Sequence, residues 1–435
     1  LFFALQKTGA IMVPVNYRLT VREISHIVAD SDPALFIWQR QYADAAREVG
    51  VTFPAVVSAA FDGHDSIASR MLNEAFSVEP LPQEVQFDDT CMILYTSGTT
   101  GAPKGARITH GMLFWNSVNT SMRLNLVQND VTLTFAPFFH TGGWNVLTTP
   151  FFHRGGHVIL LSKFDPDHVL RLCDAAGVTV LFGVPTMMDM MYRADAFSTS
   201  ALTSVRYAIV GGEPMPVDLI RTWQEKGVPI RQGYGLTEFG PNVFSLNEED
   251  AIRKIGSIGF PNFYIDTRVV DDHDRDVPQG EVGELLLRGP VCTPGYWNNP
   301  EATAAAIRDG WMHTGDLVRV DEEGYFYVVD RKKEMYISGA ENVYPAEIEQ
   351  YLRTHPDVAA VAVIGVPDDT WGEVGKAFVV RKTGHACSAE DILGYCRGNL
   401  AKYKIPKHVV FLDALPVSDS GKILKKQLRQ QEHER

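Results

Sequence analysis

Eleven consecutive residues, Tyr95 to Gly105, read YTSGTTGAPKG. The glycines let backbone N–H groups turn toward an anion, and Thr96, Ser97, Gly98, Thr99, Thr100 and Lys104 add hydroxyl, amide and ammonium donors. That is the chemistry of a phosphate cradle. It is not a Walker A loop, because Lys104 follows proline and precedes glycine rather than Ser or Thr. The plain alternative is a surface loop of small residues. Further along, Gly233 and Gly235 flank Tyr234, which suits a ring stacked on a planar base but equally suits core packing. Asp316 lies fifteen residues before Arg331; a carboxylate accepts two hydrogen bonds at once, yet such a pair is also an ordinary surface ion pair. His140 follows Pro137-Phe138-Phe139, where a satisfied core histidine is the bland reading. Lys422 follows Ser420-Gly421 near the carboxyl end, where a solvated basic tail is the bland reading.

The Tyr95–Gly105 string resembles the AMP-binding signature of the adenylate-forming superfamily, which includes acyl-CoA synthetases, luciferases and peptide-synthetase adenylation domains. Seven further motifs follow in that family's order: PFFHTGG (137–143), GGEP (211–214), QGYGLTE (232–238), GYWNNPEAT (295–303), TGDL (314–317), DRKKEMYISGAENVYPAEIE (330–349) and SGKILKK (420–426). The resemblance implies an acyl-CoA synthetase of the fatty or aryl acid branch, using ATP, Mg²⁺ and coenzyme A. A carboxylate attacks the α-phosphorus of ATP, and a thiol then displaces AMP from the acyl adenylate. The alternative within the family is an enzyme that loads a carrier protein. That class normally shows an Asp near the aromatic-His position, and PFFHTGG has none.

By the same resemblance Tyr234 stacks on adenine, with Gly212, Glu213 and Pro214 on its other side and Gln232, Gly233 and Gly235 in the same motif. Thr237 contacts the α-phosphate and Glu238 ligates Mg²⁺, a cation that takes carboxylate and phosphate oxygens. Asp316 accepts from the ribose hydroxyls, and Arg331 sits on the ribose and phosphate side. His140 gates the boundary between acyl pocket and nucleotide. Lys422 enters the site for adenylation, where charge develops on the phosphorus. A hinge near Lys333 then rotates a small domain so that Ser338 and Gly339 line a pantetheine tunnel. The usual Ser-Gly-Gly there reads Ser338-Gly339-Ala340. The residues expected to line the acyl pocket are Phe139, Trp144, Asn145, Val184, Gly211, Met215, Gly233 and Phe239. They are mainly apolar and include no cation for a second carboxylate.

These side chains need a scaffold, and the hydrophobic pattern supplies one. Apolar runs at 34–37, 92–95, 132–136, 157–161, 179–183 and 207–210 predict buried strands, and 166–176 and 216–226 predict amphipathic helices between them. The alternation implies layered α/β sheets, largely parallel. After about residue 255 shorter strands and turns predict a β-rich subdomain. Charged residues 330–333 mark a boundary between a large domain, 1–330, and a small mobile α+β domain, 331–435. The terminal LKKQLRQQEHER predicts a solvated helix. At the amino end a helix stopping near Gly9 and an interior strand over 10–15 are predicted. KTGAIMVPVNYRLT resembles a segment lying well inside related chains, so a front portion of the large domain is expected before Leu1.

Composition sets the outer limits. The 435 residues hold 40 Lys and Arg against 53 Asp and Glu, a formal charge of −13, which disfavours a nucleic-acid partner. No apolar run reaches the ~18 residues of a membrane-spanning helix. The five scattered cysteines form no CxxC pair and suit a reducing cytoplasm. A homodimer is left open.

Overall fold

The computed structural model describes residues 1–64, 66–73, 84–96, 103–338, 341–397, 399–418 and 422–433. These fall into two compact units. The first holds Leu1–Ala251, Pro261–Asp266 and Arg288–Met312; the second holds Ile252–Phe260, Thr267–Leu287 and His313–Arg435.

The first unit is built on parallel strands joined by helices. Val180–Gly183, Tyr207–Val210 and Ile230–Tyr234 lie side by side in parallel, with Phe244–Ser245 antiparallel to the last of them. Val131–Thr134 pairs in parallel with His157–Leu160, and the Thr179 N–H donates to the Val131 carbonyl at 2.9 Å. Tyr207–Val210 is buried along its whole length, as an unbroken apolar run in a helix-covered parallel sheet must be. The connecting helices carry sequence-coded starts. Asp165 accepts the His168 N–H at 3.0 Å, Pro166 takes the first helical position, and Val169, Leu170 and Cys173 face inward from Pro166–Ala175. Val217–Glu225 buries Leu219, Ile220 and Trp223 on one stripe. The predicted strands and both predicted helices are therefore present, within one or two residues at their ends.

Two expectations need correction. Residues 10–15 do not form an interior strand. Only Met12 engages a neighbour: its N–H donates to Cys91 and its carbonyl accepts from Ile93. Pro14 has no N–H to extend that ladder, so a single bridge is all the segment makes. The preceding helix, Phe2–Thr8, does stop at Gly9, whose φ is 71°. The terminal helix Lys425–His433 is also not simply solvated. Leu428 is fully buried against Ala362, Ile364 and Phe378 in the second unit.

In the second unit Val358–Asp368 and Gly372–Arg381 form a long antiparallel hairpin. Tyr336–Ser338 and Glu341–Val343 add to one side, and His408–Phe411 pairs in parallel with Gly372–Arg381. Helices Pro345–Leu352 and Ala389–Cys396 contribute Ile348, Leu352, Ile392 and Cys396 to one core over this sheet. The same unit carries the β-rich part, where Leu317–Val320 and Asp316 pair antiparallel with Phe326–Arg331.

Candidate active site

The first group of site residues lies at the carboxyl ends of parallel strands. Register pairs Gly183 with Val210 and Val210 with Gln232, so two strands end in line and the third runs on to Tyr234. Open parallel sheets bind ligands at that edge, where the chain leaves each strand in a turn. Val184 and Gly211-Gly212 are those turns for the first two strands, and Gly235 is the exit from the third, after Gly233 and Tyr234. A Cβ at Gly211 would stand 3.1 Å from the Gly233 carbonyl oxygen, and one at Gly212 would stand 3.6 Å from Val184 Cγ1. Four of the predicted residues are thus gathered at one strand edge. Glu213 and Pro214 follow, both exposed, and Met215 turns back into the core. Tyr234 is half-buried with its ring edge-on to Phe244, 5.7 Å between centroids. Gly235 is there by necessity: a Cβ would lie 1.3 Å from the Pro241 carbonyl oxygen. Gln232 is buried, and its Oε1 has no hydrogen-bond partner among the described residues.

The second group is a hairpin and the loop laid across it. Thr96 and Lys104 face each other at the connected end of the antiparallel strands Thr90–Thr96 and Lys104–Thr109. Ser97, Gly98, Thr99 and Thr100 lie outside the described residues. Loop 293–297 is stitched to the second strand by Arg107 N–H to Gly295 O at 3.1 Å and Trp297 N–H to Gly105 O at 2.7 Å. The Thr293 hydroxyl adds a bond to Arg107 O at 2.6 Å. This places Tyr296 beside Lys104, whose ammonium lies 5.4 Å from the ring centroid. The Tyr296 hydroxyl donates to Glu238 Oε1 at 2.9 Å, and the Thr293 N–H donates to the Glu238 carbonyl at 2.8 Å. Burial first, and the Glu238 charge second, push the Tyr296 phenol well above its ordinary value, so it remains a donor at neutral pH. The same two causes push the Cys292 thiol up to about 12. Thr237, Glu238 and Phe239 form a single 3₁₀ turn that buries Phe239. Tyr296 was not singled out in the sequence, although its motif was; its partner lies 58 residues away.

The histidine segment forms a third group. Phe139 is buried and His140 exposed, their rings 4.7 Å apart. A π-helical turn, Gly142–Val146, follows; such turns are often found at functional sites. Gly143 permits it, since a Cβ would meet the Pro137 carbonyl oxygen at 2.5 Å. Two expected pocket residues have structural partners here. The Trp144 indole N–H donates to Phe138 O at 2.6 Å while its ring packs on Phe2 and Phe138. Asn145 is buried, bonded to Thr141 and Thr149 through its side chain and to Asn116 and Asn242 through its carbonyl.

The second unit holds the remaining candidates. Asp316 is buried opposite Arg331, whose Nε lies 2.5 Å from Asp316 Oδ1. The Asp316 N–H donates to Thr314 Oγ1 at 3.1 Å, across Gly315, whose φ is 68° within the strand Trp311–Val320. Next to it Asp330 accepts the N–H groups of Arg331 and Ala346, yet burial still raises its carboxyl pKa. Burial likewise lowers the Lys333 ammonium pKa. Ser338 is buried at a strand end; Gly339 and Ala340 lie outside the described residues. Lys422 is exposed and bonded to Ser418: Lys422 N–H to Ser418 Oγ at 3.1 Å, and Ser418 N–H to Lys422 O at 2.7 Å. Three residues on, Lys425 pairs with the buried Glu349 at 2.7 Å and starts the docked terminal helix.

Among the described residues no three His, Cys, Asp or Glu side chains gather as a metal cage. Glu238 offers one carboxylate, oriented from outside by a phenol, next to a lysine. That donor set fits Mg²⁺, which is commonly held by one or two carboxylates together with substrate phosphates. No helix of the described residues is long and apolar enough to cross a membrane.

Comparison with known proteins identifies the family. The chain is 43% identical to feruloyl-CoA synthase of an Amycolatopsis species over 433 residues, 98% of this chain and 85% of that protein. The ATP-bound structure of MatB from Rhodopseudomonas palustris superposes with a TM-score of 0.91 at 33% identity, covering 99% of this chain and 85% of that one. The Bacillus subtilis o-succinylbenzoate CoA synthetase MenE, in complex with its acyl-adenylate intermediate, gives 0.86 at 31% identity, with coverages of 98% and 85%. Residues 1–297 match the model of the AMP-binding enzyme family and residues 347–422 match its C-terminal domain, so the chain belongs to the AMP-binding enzymes.

Proposed function

We propose that this protein activates an aryl or fatty carboxylic acid with Mg·ATP and transfers the acyl group to coenzyme A. The observation that carries this reading is the convergence of Lys104, Tyr296 and Glu238 in a chain with the family's motifs in order. In the first half-reaction the carboxylate oxygen attacks the α-phosphorus, the acyl–phosphate bond forms and pyrophosphate leaves. In the second the thiolate sulfur attacks the acyl carbon and AMP leaves. Adenylation turns a poor leaving oxygen into a good one; the protein supplies position and charge.

The residues divide that work. Tyr234 stacks on adenine, with Gly212, Glu213 and Pro214 opposite. Thr237 donates to the α-phosphate, and Thr96 to Thr100 with Lys104 cradle the outer phosphates. Glu238 would hold Mg²⁺, which would supply positive charge to neutralise the phosphates. Asp316 accepts from the ribose hydroxyls, and Arg331, paired with it, lies on the ribose and phosphate side as a fixed cation. Lys422 stabilises the charge that develops in adenylation only, and movement about Lys333 withdraws it before thiol attack. His140 separates the acyl pocket from the nucleotide. Phe139, Met215 and Phe239 are buried apolar residues that suit an aryl or alkyl tail, and two of the similar proteins act on aryl acids by name.

The test is AMP release across a panel of hydroxycinnamic, benzoic, arylacetic and straight-chain acids, with and without coenzyme A. CoA-dependent AMP formation with at least one acid is expected. Pyrophosphate exchange without CoA-dependent AMP release would make the protein a carrier loader instead.

A further inference from the structure

Lys104 and Glu238 carry opposite charges and both touch Tyr296, yet among the described residues neither joins an ion pair. Left side by side with a free path, an ammonium and a carboxylate would pair and neutralise each other. Tyr296 engages them differently instead. Its ring face meets Lys104 through the π-cloud, at 5.4 Å from the centroid. Its hydroxyl takes one lone pair of Glu238 Oε1 at 2.9 Å. The ring cannot drift, because loop 293–297 is bonded on both sides of it. Gly295 O and Trp297 N–H grip the strand that begins at Lys104, and Thr293 N–H grips the Glu238 backbone. The Ala106–Tyr296 bridge makes the tyrosine effectively an extra rung on that strand.

We infer that Tyr296 is a positioning residue that holds Glu238 and Lys104 apart and aims the carboxylate for Mg·ATP. The inference rests on the proposed metal role of Glu238. With Oε1 occupied by the phenol, Oε2 is the oxygen left to bind a cation, so the carboxylate is ready in one orientation. Lys104, held over the ring rather than on the carboxylate, keeps its N–H donors for phosphate. Outer partners of this kind typically change metal affinity by ~10–100-fold when removed.

The test uses the full chain and Tyr296→Phe, which deletes the hydroxyl and keeps the ring. ATP binding is measured by calorimetry across Mg²⁺ concentrations and in EDTA, with Glu238→Gln in parallel. The expected result is a half-saturating Mg²⁺ concentration raised by ~10–100-fold in Tyr296→Phe. Metal-free ATP affinity should stay unchanged, and Glu238→Gln should shift at least as far. The ratio of Mg²⁺-dependent to metal-free affinity is taken within each variant, well below its melting midpoint, so a merely less stable protein does not imitate the effect. If Glu238→Gln shifts and Tyr296→Phe does not, the positioning role is overturned while the metal site stands. If neither shifts, Glu238 is not the metal ligand, and both readings fall.

Discussion

The two groups of charged residues in this molecule are held in opposite ways. In the first unit, Glu238 and Lys104 are fixed by backbone. Thr293 bonds the Glu238 carbonyl, Gly295 and Trp297 bond the strand of Lys104, and Tyr296 lies between them. In the second unit, Lys422 sits exposed and bonded to Ser418, and the docked helix beginning three residues later provides its anchorage. On the proposed roles, recognition of a ligand present throughout the reaction is built on strand ends. A charge needed for one step can hang from a separately packed element, because its position must change between steps.

The largest effect should come from the anchor. Leu428→Ala removes a fully buried side chain from the Ala362, Ile364 and Phe378 cluster and should destabilise the second unit by about 2–5 kcal/mol. Hydrogen exchange should speed up in Val358–Arg381 and remain slow in Val180–Tyr234. Uniform acceleration through both would mean that the two regions do not differ in the manner described. Next is Lys422→Ala, which should slow adenylation by roughly 10²–10³-fold. Thioester formation from preformed acyl adenylate should stay near the wild-type rate; equal losses in both half-reactions would tie Lys422 to a general structural role.

A smaller effect is expected for Asp316→Ala. Losing charged hydrogen bonds of about 1.5–3 kcal/mol should weaken AMP binding without lowering the melting midpoint much. Unchanged AMP affinity in a titration would return Asp316 to a structural place beside Thr314. The smallest effect sharpens the fixed side of the comparison. Burial and then Glu238 push Cys292 up to about 12, so the thiolate is scarce at pH 8. Glu238→Gln removes the smaller cause and leaves the larger one. Alkylation of Cys292 at pH 8 should therefore accelerate, by less than about tenfold, which is one pKa unit. No acceleration at all would place Glu238 too far away to act on that thiol.

Much of this was legible in the order of residues. The parallel strands and helices of the first unit follow from unbroken apolar runs, Asp-Pro starts and trailing glycines, because those signals act within a few residues. The strand-end glycines and the lysine-bearing hairpin were marked by composition and by motif. Residues 10–15 misled, because an apolar run predicts burial but not whether a partner strand offers more than one rung; Pro14 limited it to Met12. The terminal LKKQLRQQEHER misled in the other direction. Two leucines four apart among charges make too short a stripe to signal burial, yet Leu428 packs against two strands more than forty residues upstream.

The sequence by itself determined the chemistry at hand: the Gly- and Thr-rich string, the carboxylates, the lysines and the family they belong to. Only the tertiary structure decided which of these groups meet. Tyr296 reaches Glu238 across 58 residues because the loop after Cys292 happens to lie along the strand of Lys104. Asn145 and Trp144 proved to be engaged by Asn116, Asn242 and Phe138. Local signals fix local backbone, since their energies act over one or two turns. Contacts between distant segments depend on how whole elements pack, and no spacing in the chain encodes that directly.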